Sequence, residues 1–407
     1  MHPILRWIFV GVALVIPSIG DAQEIAEDAL QRARAELKRA VTDGEVAGAV
    51  HLVSRDSRTV YLEAAGVRDL GSRQPMTPDT IIRIYSMTKP VTSVAAMTLY
   101  EQGKFELDDP VSRYIPAFAD AKVIDTSGDE VRLVSPRRPI TVRDVMRHST
   151  GYNYGGEKAK AAEYYEREQM RYRPPAGMLP PGMTIAEAAE ALARIPAEHH
   201  PGERFTYGFN TDLLGRLIEV WSGQPFADYM QEAVLTPLDM VDTGFAVPDE
   251  KRDRFASCHT TRDGKLAVLD KAEASPFVDG FEFVSGGGGL VSTIRDYGNF
   301  CQMLVDGGEF NGRRILKEQT VRMMFTDQLQ EAAGDFRFGL GFSISDAAIG
   351  TGESRRMVPQ YGWGGYASTE FRLVPEKRMY QILVRQHIPY SNELANRLFG
   401  IVYTGVE

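Results

Sequence analysis

The first clear periodicity runs from Glu24 to Asp43. There EIAEDALQRARAELKRAVTD sets Ile25, Leu30, Ala33, Leu37 and Val41 on one stripe with charges opposite, which predicts an amphipathic helix. The period then shortens. Ala47–Ser54 and Arg58–Ala65 are apolar-rich runs separated by a polar Arg-Asp-Ser turn, the pattern of an antiparallel hairpin. A second strand-rich group follows far down the chain, at Phe338–Ser345, Glu370–Val374 and Met379–Arg385, and a helix is predicted over Asn392–Val402. Between these groups helical pattern and long loops dominate. Thr184-Ile-Ala-Glu187 is a capping box that opens a helix over Ala186 to Ile195, ended by Pro196, and the Pro/Gly-rich stretch 173–182 reads as a loop.

Strands at both ends with helices between them predict an α/β fold: an antiparallel sheet built from N- and C-terminal strands and flanked by helices, plus a largely helical lobe. The sheet lobe takes roughly residues 23–85 and 285–407, and the helical lobe roughly 86–284. A ligand cleft is expected where the two lobes meet.

Composition narrows the function. The chain has 407 residues, 43% of them hydrophobic, so it can bury a large core. A formal charge of −9 without a long basic run argues against nucleic acid or an anionic membrane surface as partner. Ahead of the first helix, Arg6, the apolar stretch Ile8–Ile19 and the small residues Gly20 and Ala22 form a signal-peptide pattern. Residues 1–22 are expected to be removed, leaving residues 23–407 as a secreted or periplasmic protein with no stable membrane insertion. The alternative is an uncleaved anchor, although the apolar stretch is shorter than the ~20 residues of a membrane span. Cys258 and Cys301 are the only cysteines, too few for a disulfide scaffold, and whether they pair is left open.

The candidate chemistry starts at Ser86-Met-Thr-Lys89, which leads into an apolar helical segment. Residues three apart share a helix face, so the Lys89 amine reaches the Ser86 hydroxyl. Pro90 is tolerated only near a helix start, which places Ser86 in the positive field of the N-terminus. The motif alone is weak: 20 serines and 11 lysines in this length give about half a Ser-x-x-Lys by chance. Two further segments change its weight. Tyr207-Gly-Phe209-Asn-Thr-Asp212 stands just before a helix, and Tyr361-Gly-Trp363-Gly364-Gly365-Tyr366 precedes the strand at Glu370–Val374.

In order and spacing these three segments resemble the serine β-lactamase and penicillin-binding-protein superfamily, specifically the class C-like family VIII carboxylesterases. The resemblance extends through His148-Ser-Thr-Gly151, Ser285–Thr293 and Phe338-Gly-Leu-Gly341, covering nearly the whole mature chain. It implies a β-lactamase-like serine hydrolase fold in which Ser86 is the acyl-accepting nucleophile and Lys89 and Tyr207 form the base system. It also implies an oxyanion site made by the backbone N–H groups of Ser86 and Tyr366, with Trp363, Gly364, Gly365 and Phe209 at the substrate. Free phenols and ammonium groups hold their protons at neutral pH, so the implied base system requires each group to be shifted by burial or by the other's charge, and the titration of a close pair belongs to the pair. Which member takes the proton first stays open.

The chain departs from the lactamases in two places. Tyr207-Gly-Phe209 stands where they have Tyr-x-Asn, and Trp363-Gly-Gly365 where they have Lys-Thr-Gly, so the amide-binding asparagine and the carboxylate-binding lysine are both missing. Weak or absent β-lactamase activity and an apolar pocket at Trp363 are expected, as in the esterase branch. Other polar residues have structural readings: Asn210 starts a helix, Asp212 sits in its first turn, and His148 makes a structural hydrogen bond. Adjacent His199 and His200 lack metal-ligand spacing and no His-Glu-x-x-His occurs, so neither metal nor cofactor is expected.

The expected partner is a small ester or amide, with the oligomeric state open. β-Lactam hydrolysis, D-amino-acid peptidase or amidase action and acyl transfer remain alternatives on the same chemistry. A Ser-His-Asp hydrolase is disfavoured because no Gly-x-Ser-x-Gly elbow occurs, and a non-catalytic binding module would be expected to have lost one of Ser86, Lys89 or Tyr207.

Overall fold

A computed structural model describes residues 25–127, 130–171, 182–280, 283–329 and 335–406. The expected leader 1–22 and all but the last residue of the loop expected over 173–182 lie outside the described residues. The sequence Gly48–Arg55 (β1) is buried on both faces and Arg58–Gly66 (β2) folds back on it as the predicted hairpin. The other strands come from the far end of the chain: Arg337–Phe338 (β3), Ser343–Ile349 (β4), Arg356–Gly365 (β5), Thr369–Val374 (β6) and Met379–Arg385 (β7). All pair antiparallel in the order β3-β4-β5-β6-β7-β1-β2, so β1 is inserted beside β7 with Ala49 opposite Arg385. The sheet is thus assembled from both ends of the sequence.

Alternation along the central strands builds two cores. On one face Ala49, Val53 and Leu383 pack against Leu30, Ala33 and Leu37 of the first helix (α1, Glu27–Thr42) and Leu394, Leu398 and Val402 of the last (Glu393–Tyr403). On the other, Val50, Leu52, Ile382 and Val384 join the large core shared with the middle of the chain. That core includes the helix Thr88–Glu101 (α2), the helix Ile185–Arg194 (α3) with its reciprocal Thr184–Glu187 capping box, the helix Asn210–Ser222 (α4) and the helix Ile294–Val305 (α5). Among the described residues no helix is long and apolar enough to cross a membrane.

Three sequence expectations change. Phe338–Ser345 is not one strand but the end of β3, a turn through Gly341 (φ +95°) and the start of β4. The segment ending Tyr361-Gly-Trp363-Gly-Gly365 is itself strand β5 rather than a lead-in to β6. The middle of the chain also carries a β-hairpin, Cys258–Arg262 with Lys265–Asp270. Cys258 and Cys301 are buried free thiols.

Candidate active site

Ser86 lies in a short 3₁₀ turn, Tyr85–Met87, that runs directly into α2, with Pro90 in the first helical turn where its missing N–H has no cost. The preceding Tyr85 has φ +43°, a left-handed conformation unfavourable for an aromatic residue. The rings of Phe277 and Tyr366, edge-on to Tyr85 at 5.7 and 5.8 Å, pack around it and hold the nucleophile turn in place. One turn along, the Lys89 side chain is almost fully buried. Its Nζ donates to Ser86 Oγ (3.2 Å), Tyr154 Oη (2.9 Å) and the Gly287 carbonyl (2.5 Å), which uses all three donors of an ammonium.

Tyr207, on the segment leading into α4, closes the group. Its hydroxyl is 2.6 Å from Ser86 Oγ, a bond in which either hydroxyl can supply the hydrogen, and its ring centroid is 4.6 Å from Lys89 Nζ. Trp363 on β5 stacks obliquely at 5.5 Å and points its Nε1 at the Tyr207 oxygen from 3.4 Å. The structure therefore brings Ser86, Lys89 and Tyr207 into one hydrogen-bonded set, although 118 positions separate Tyr207 from Lys89 (207 − 89).

Two supports of this set are not among the expected site residues, although Gly287 lies in the Ser285–Thr293 stretch that carries the resemblance. Tyr154 reaches Lys89 from a loop, and the glycine-rich turn after Ser285 supplies the Gly287 carbonyl. That turn is pinned by Asp212 in the first turn of α4, whose Oδ1 accepts from Ser285 Oγ (2.5 Å) and from Gly287 N–H (3.0 Å). The packing is close enough that a Cβ on Gly287 would stand 2.6 Å from Asp212 Oδ2. Burial pushes the Asp212 acid up, and the nearby Lys89 charge opposes that shift. His148 lies against the Tyr207 ring at 5.3 Å with its Nε2 3.3 Å from Thr211 Oγ1, and burial, aided by Lys89, holds its pKa well below the usual value, so it is neutral. His199 bonds Thr206 and the His200 carbonyl, and Asn210 begins α4 with its side chain on Thr150 and Tyr152.

The mouth of the site is a pocket of about 400 Å³ lined by Ser86, Tyr207, Phe336, Ser343, Trp363–Tyr366, Glu370, Arg372 and Tyr390. Pairing of β5 with β4 stops at Gly362 opposite Ser343, so residues 363–365 present an unpaired backbone edge to this pocket. Gly365 touches the nucleophile turn: a Cβ there would stand 2.3 Å from the Ile84 carbonyl. Gly365 thus lies against the residue two before Ser86, and Ser86 and Tyr366 both line the pocket. Phe209 is a correction. It does not line the pocket but is buried behind Tyr154, ring to ring at 4.9 Å, because it caps α4 and faces the core. A larger polar cleft of about 670 Å³ near Asp306, Arg322 and Arg378 contains none of these groups.

The seven-stranded antiparallel sheet with helices on both faces, and Ser86, Lys89 and Tyr207 in mutual contact beside it, places the chain among the β-lactamase-fold hydrolases. The Beta-lactamase family model matches residues 32–397, and the chain belongs to that family, part of the serine β-lactamase and penicillin-binding-protein superfamily. It is 30% identical over 371 residues to Protein Rv1367c of Mycobacterium tuberculosis, covering 88% of this chain and 90% of that protein. Lovastatin esterase of Penicillium rubens is 27% identical over 345 residues, 82% of each chain. Among solved structures, EstCE1, described as a hydrolase with promiscuous acyltransferase activity, superposes with a TM-score of 0.77 over 93% of this chain and 100% of its own at 24% identity, a likeness of fold.

Proposed function

We propose that the protein cleaves carboxylic esters through an acyl-Ser86 intermediate. The observation that carries this reading is the contact of Ser86 Oγ with both Tyr207 Oη at 2.6 Å and Lys89 Nζ at 3.2 Å. Ser86 Oγ bonds to the ester carbonyl carbon while its proton passes into the Lys89–Tyr207 pair. The negative charge that develops on the carbonyl oxygen is met by the N–H groups of Ser86 and Tyr366. The ester C–O bond then breaks, and the pair returns the proton to the departing alcohol. Water repeats the sequence on the acyl-enzyme and frees the acid.

Esterase and acyltransferase relatives support this acyl chemistry, and an alcohol in place of water in the second half gives transfer instead of hydrolysis. The aromatic rim of Phe336, Trp363 and Tyr366, where lactamases carry a lysine, favours an ester with an apolar body. Export through residues 1–22 is part of the proposal and is checked by N-terminal sequencing of protein recovered outside the cytoplasm.

A fluorophosphonate probe should label Ser86, with the adduct located by mass spectrometry, and Ser86→Ala should lose both label and turnover of p-nitrophenyl esters while keeping its circular dichroism. Adduct persisting in Ser86→Ala would overturn the assignment. Faster turnover of nitrocefin or a D-Ala-D-Ala peptide than of any ester would move the reading to a lactamase or peptidase.

A further inference from the structure

Opposite the glycines of β5, strand β6 carries two charges in an otherwise apolar run. Cross-strand pairing sets Arg372 against Gly362 and Glu370 against Gly364. Both side chains line the same pocket as Ser86. Glu370 is 1% exposed and Arg372 17%, with 2.6 Å between Arg372 Nη1 and Glu370 Oε2. The other carboxylate oxygen of Glu370 accepts from the Tyr390 hydroxyl. A buried ion pair is weak evidence for stability, since its desolvation offsets most of the attraction. A function at the pocket accounts better for its presence.

The glycines are what admit this cluster. A Cβ on Gly364 would stand 2.3 Å from Glu370 Oε1 and 3.0 Å from Tyr390 Oη, and one on Gly362 would stand 3.1 Å from Arg372 Nη1. The guanidinium is also used in a lopsided way. Nη1 bonds Glu370 and the Phe371 carbonyl (2.8 Å), whereas Nε and Nη2 take no partner among the described residues. Nε and Nη2 form the edge of the fork that a carboxylate grips with two parallel hydrogen bonds. The charge of Glu370 is also felt by the buried Arg385, whose own hydrogen bonds go to the Ser368 and Ser391 carbonyls.

We propose that Arg372, positioned by Glu370 and Tyr390, forms a carboxylate-binding subsite at the far end of the Ser86 pocket, selecting esters whose acyl chain ends in a second carboxylate. This rests on the esterase reading above. Gly364 and Gly362 lie two and four residues before Tyr366, so the guanidinium stands roughly 7–13 Å along the strand from the oxyanion N–H. An extended acyl chain of about six to eight carbons, with a hydrogen bond of about 3 Å at its end, covers that span.

The test compares mono-p-nitrophenyl esters of adipic and suberic acid with p-nitrophenyl hexanoate and octanoate, reading kcat/KM. Wild-type protein should favour the acid-terminated ester of each pair about tenfold or more, and Arg372→Gln should cut that ratio by about 10–100-fold, the range of a charge-assisted hydrogen bond, whatever its absolute rates. Arg372→Lys should retain part of the ratio. A ratio that survives in Arg372→Gln overturns the subsite and leaves the esterase reading intact, as does a wild type that favours the neutral esters, which is decisive even should the variants not fold. Failure to cleave either ester of a pair overturns both.

Discussion

Asp212→Asn isolates the contribution of the buried carboxylate behind Lys89. Asparagine keeps the shape and leaves one acceptor oxygen for Ser285 Oγ and Gly287 N–H, so the turn that offers its carbonyl to Lys89 stays in place while the charge is lost. A hydrogen bond to a charged group contributes about 1.5–3 kcal/mol and a neutral one about 0.5–1.5, so two weakened bonds amount to about 2 kcal/mol. The loss of attraction between charges on either side of one buried glycine residue adds a further ~2 kcal/mol at an effective dielectric near 20. Relief of the carboxylate's burial, which pushes its acid up, works in the opposite direction for folding but not for the placement of Lys89. The net expectation is a melting temperature changed by a few degrees and an acylation rate lowered by about 10–100-fold. The assay is single-turnover release of p-nitrophenol with excess enzyme, beside a thermal melt. Acylation at the wild-type rate would refute the link from Asp212 through Gly287 to Lys89, and a rate lost only in step with folded protein would reduce Asp212 to a structural role.

Three further outcomes follow from the geometry. Tyr207→Phe removes the hydroxyl 2.6 Å from Ser86 Oγ and should lower kcat/KM for p-nitrophenyl butyrate by about 100–10,000-fold with an unchanged melt; a loss below tenfold would contradict a role in proton transfer. Gly365→Ala places a Cβ 2.3 Å from both the Ile84 carbonyl and Thr369 Oγ1, so β5 must shift from the nucleophile turn, and kcat should fall by about 100-fold or more, as for loss of an oxyanion donor; normal kcat would show that this contact is dispensable. Burial lowers His51 and His259 from 6.5 to about 4, so both stay neutral in the fold while the unfolded chain takes up protons below pH 6.5. Stability is therefore unaffected by these groups above pH 6.5 and is lost between 6.5 and 4, on the order of 3 kcal/mol for each; a urea midpoint that does not move between pH 7 and pH 4.5 would argue against it.

What the sequence made legible follows from locality. The reciprocal Thr184–Glu187 cap and the hairpin at β1–β2 are set by neighbours in the chain, and both form as their patterns predict. Ser86 and Lys89 meet for the same reason, one helical turn apart. Strand β5 was illegible because Pro359, Gly362, Gly364 and Gly365 all disfavour a strand. It forms because β6 pairs it along 361–365 and β4 along 356–362, a tertiary effect that overrides propensity. Phe209 illustrates the opposite failure. Its place two residues after Tyr207 suggested the pocket, yet at the start of α4 that spacing turns the ring into the core. Tyr154 has no fixed offset from Lys89 that a motif could encode. Glu370 and Arg372 did leave a trace, two charges at i and i+2 in an apolar run, which places them on one face of a strand.

The insertion of β1 beside β7 also governs when the site can exist. Ala49 pairs with Arg385, and Ala26 N–H with the Gly405 carbonyl at 2.8 Å, so contacts that complete the sheet join residues more than 300 positions apart. Loop closure on that scale is slow, and a ribosome adding about 5–20 residues per second must finish β7 before β1 finds its neighbour. Until then α1 can cover Ala49 and Val53 on one face of the leading hairpin, whereas Val50 and Leu52 on the other wait for the layer that the later chain supplies.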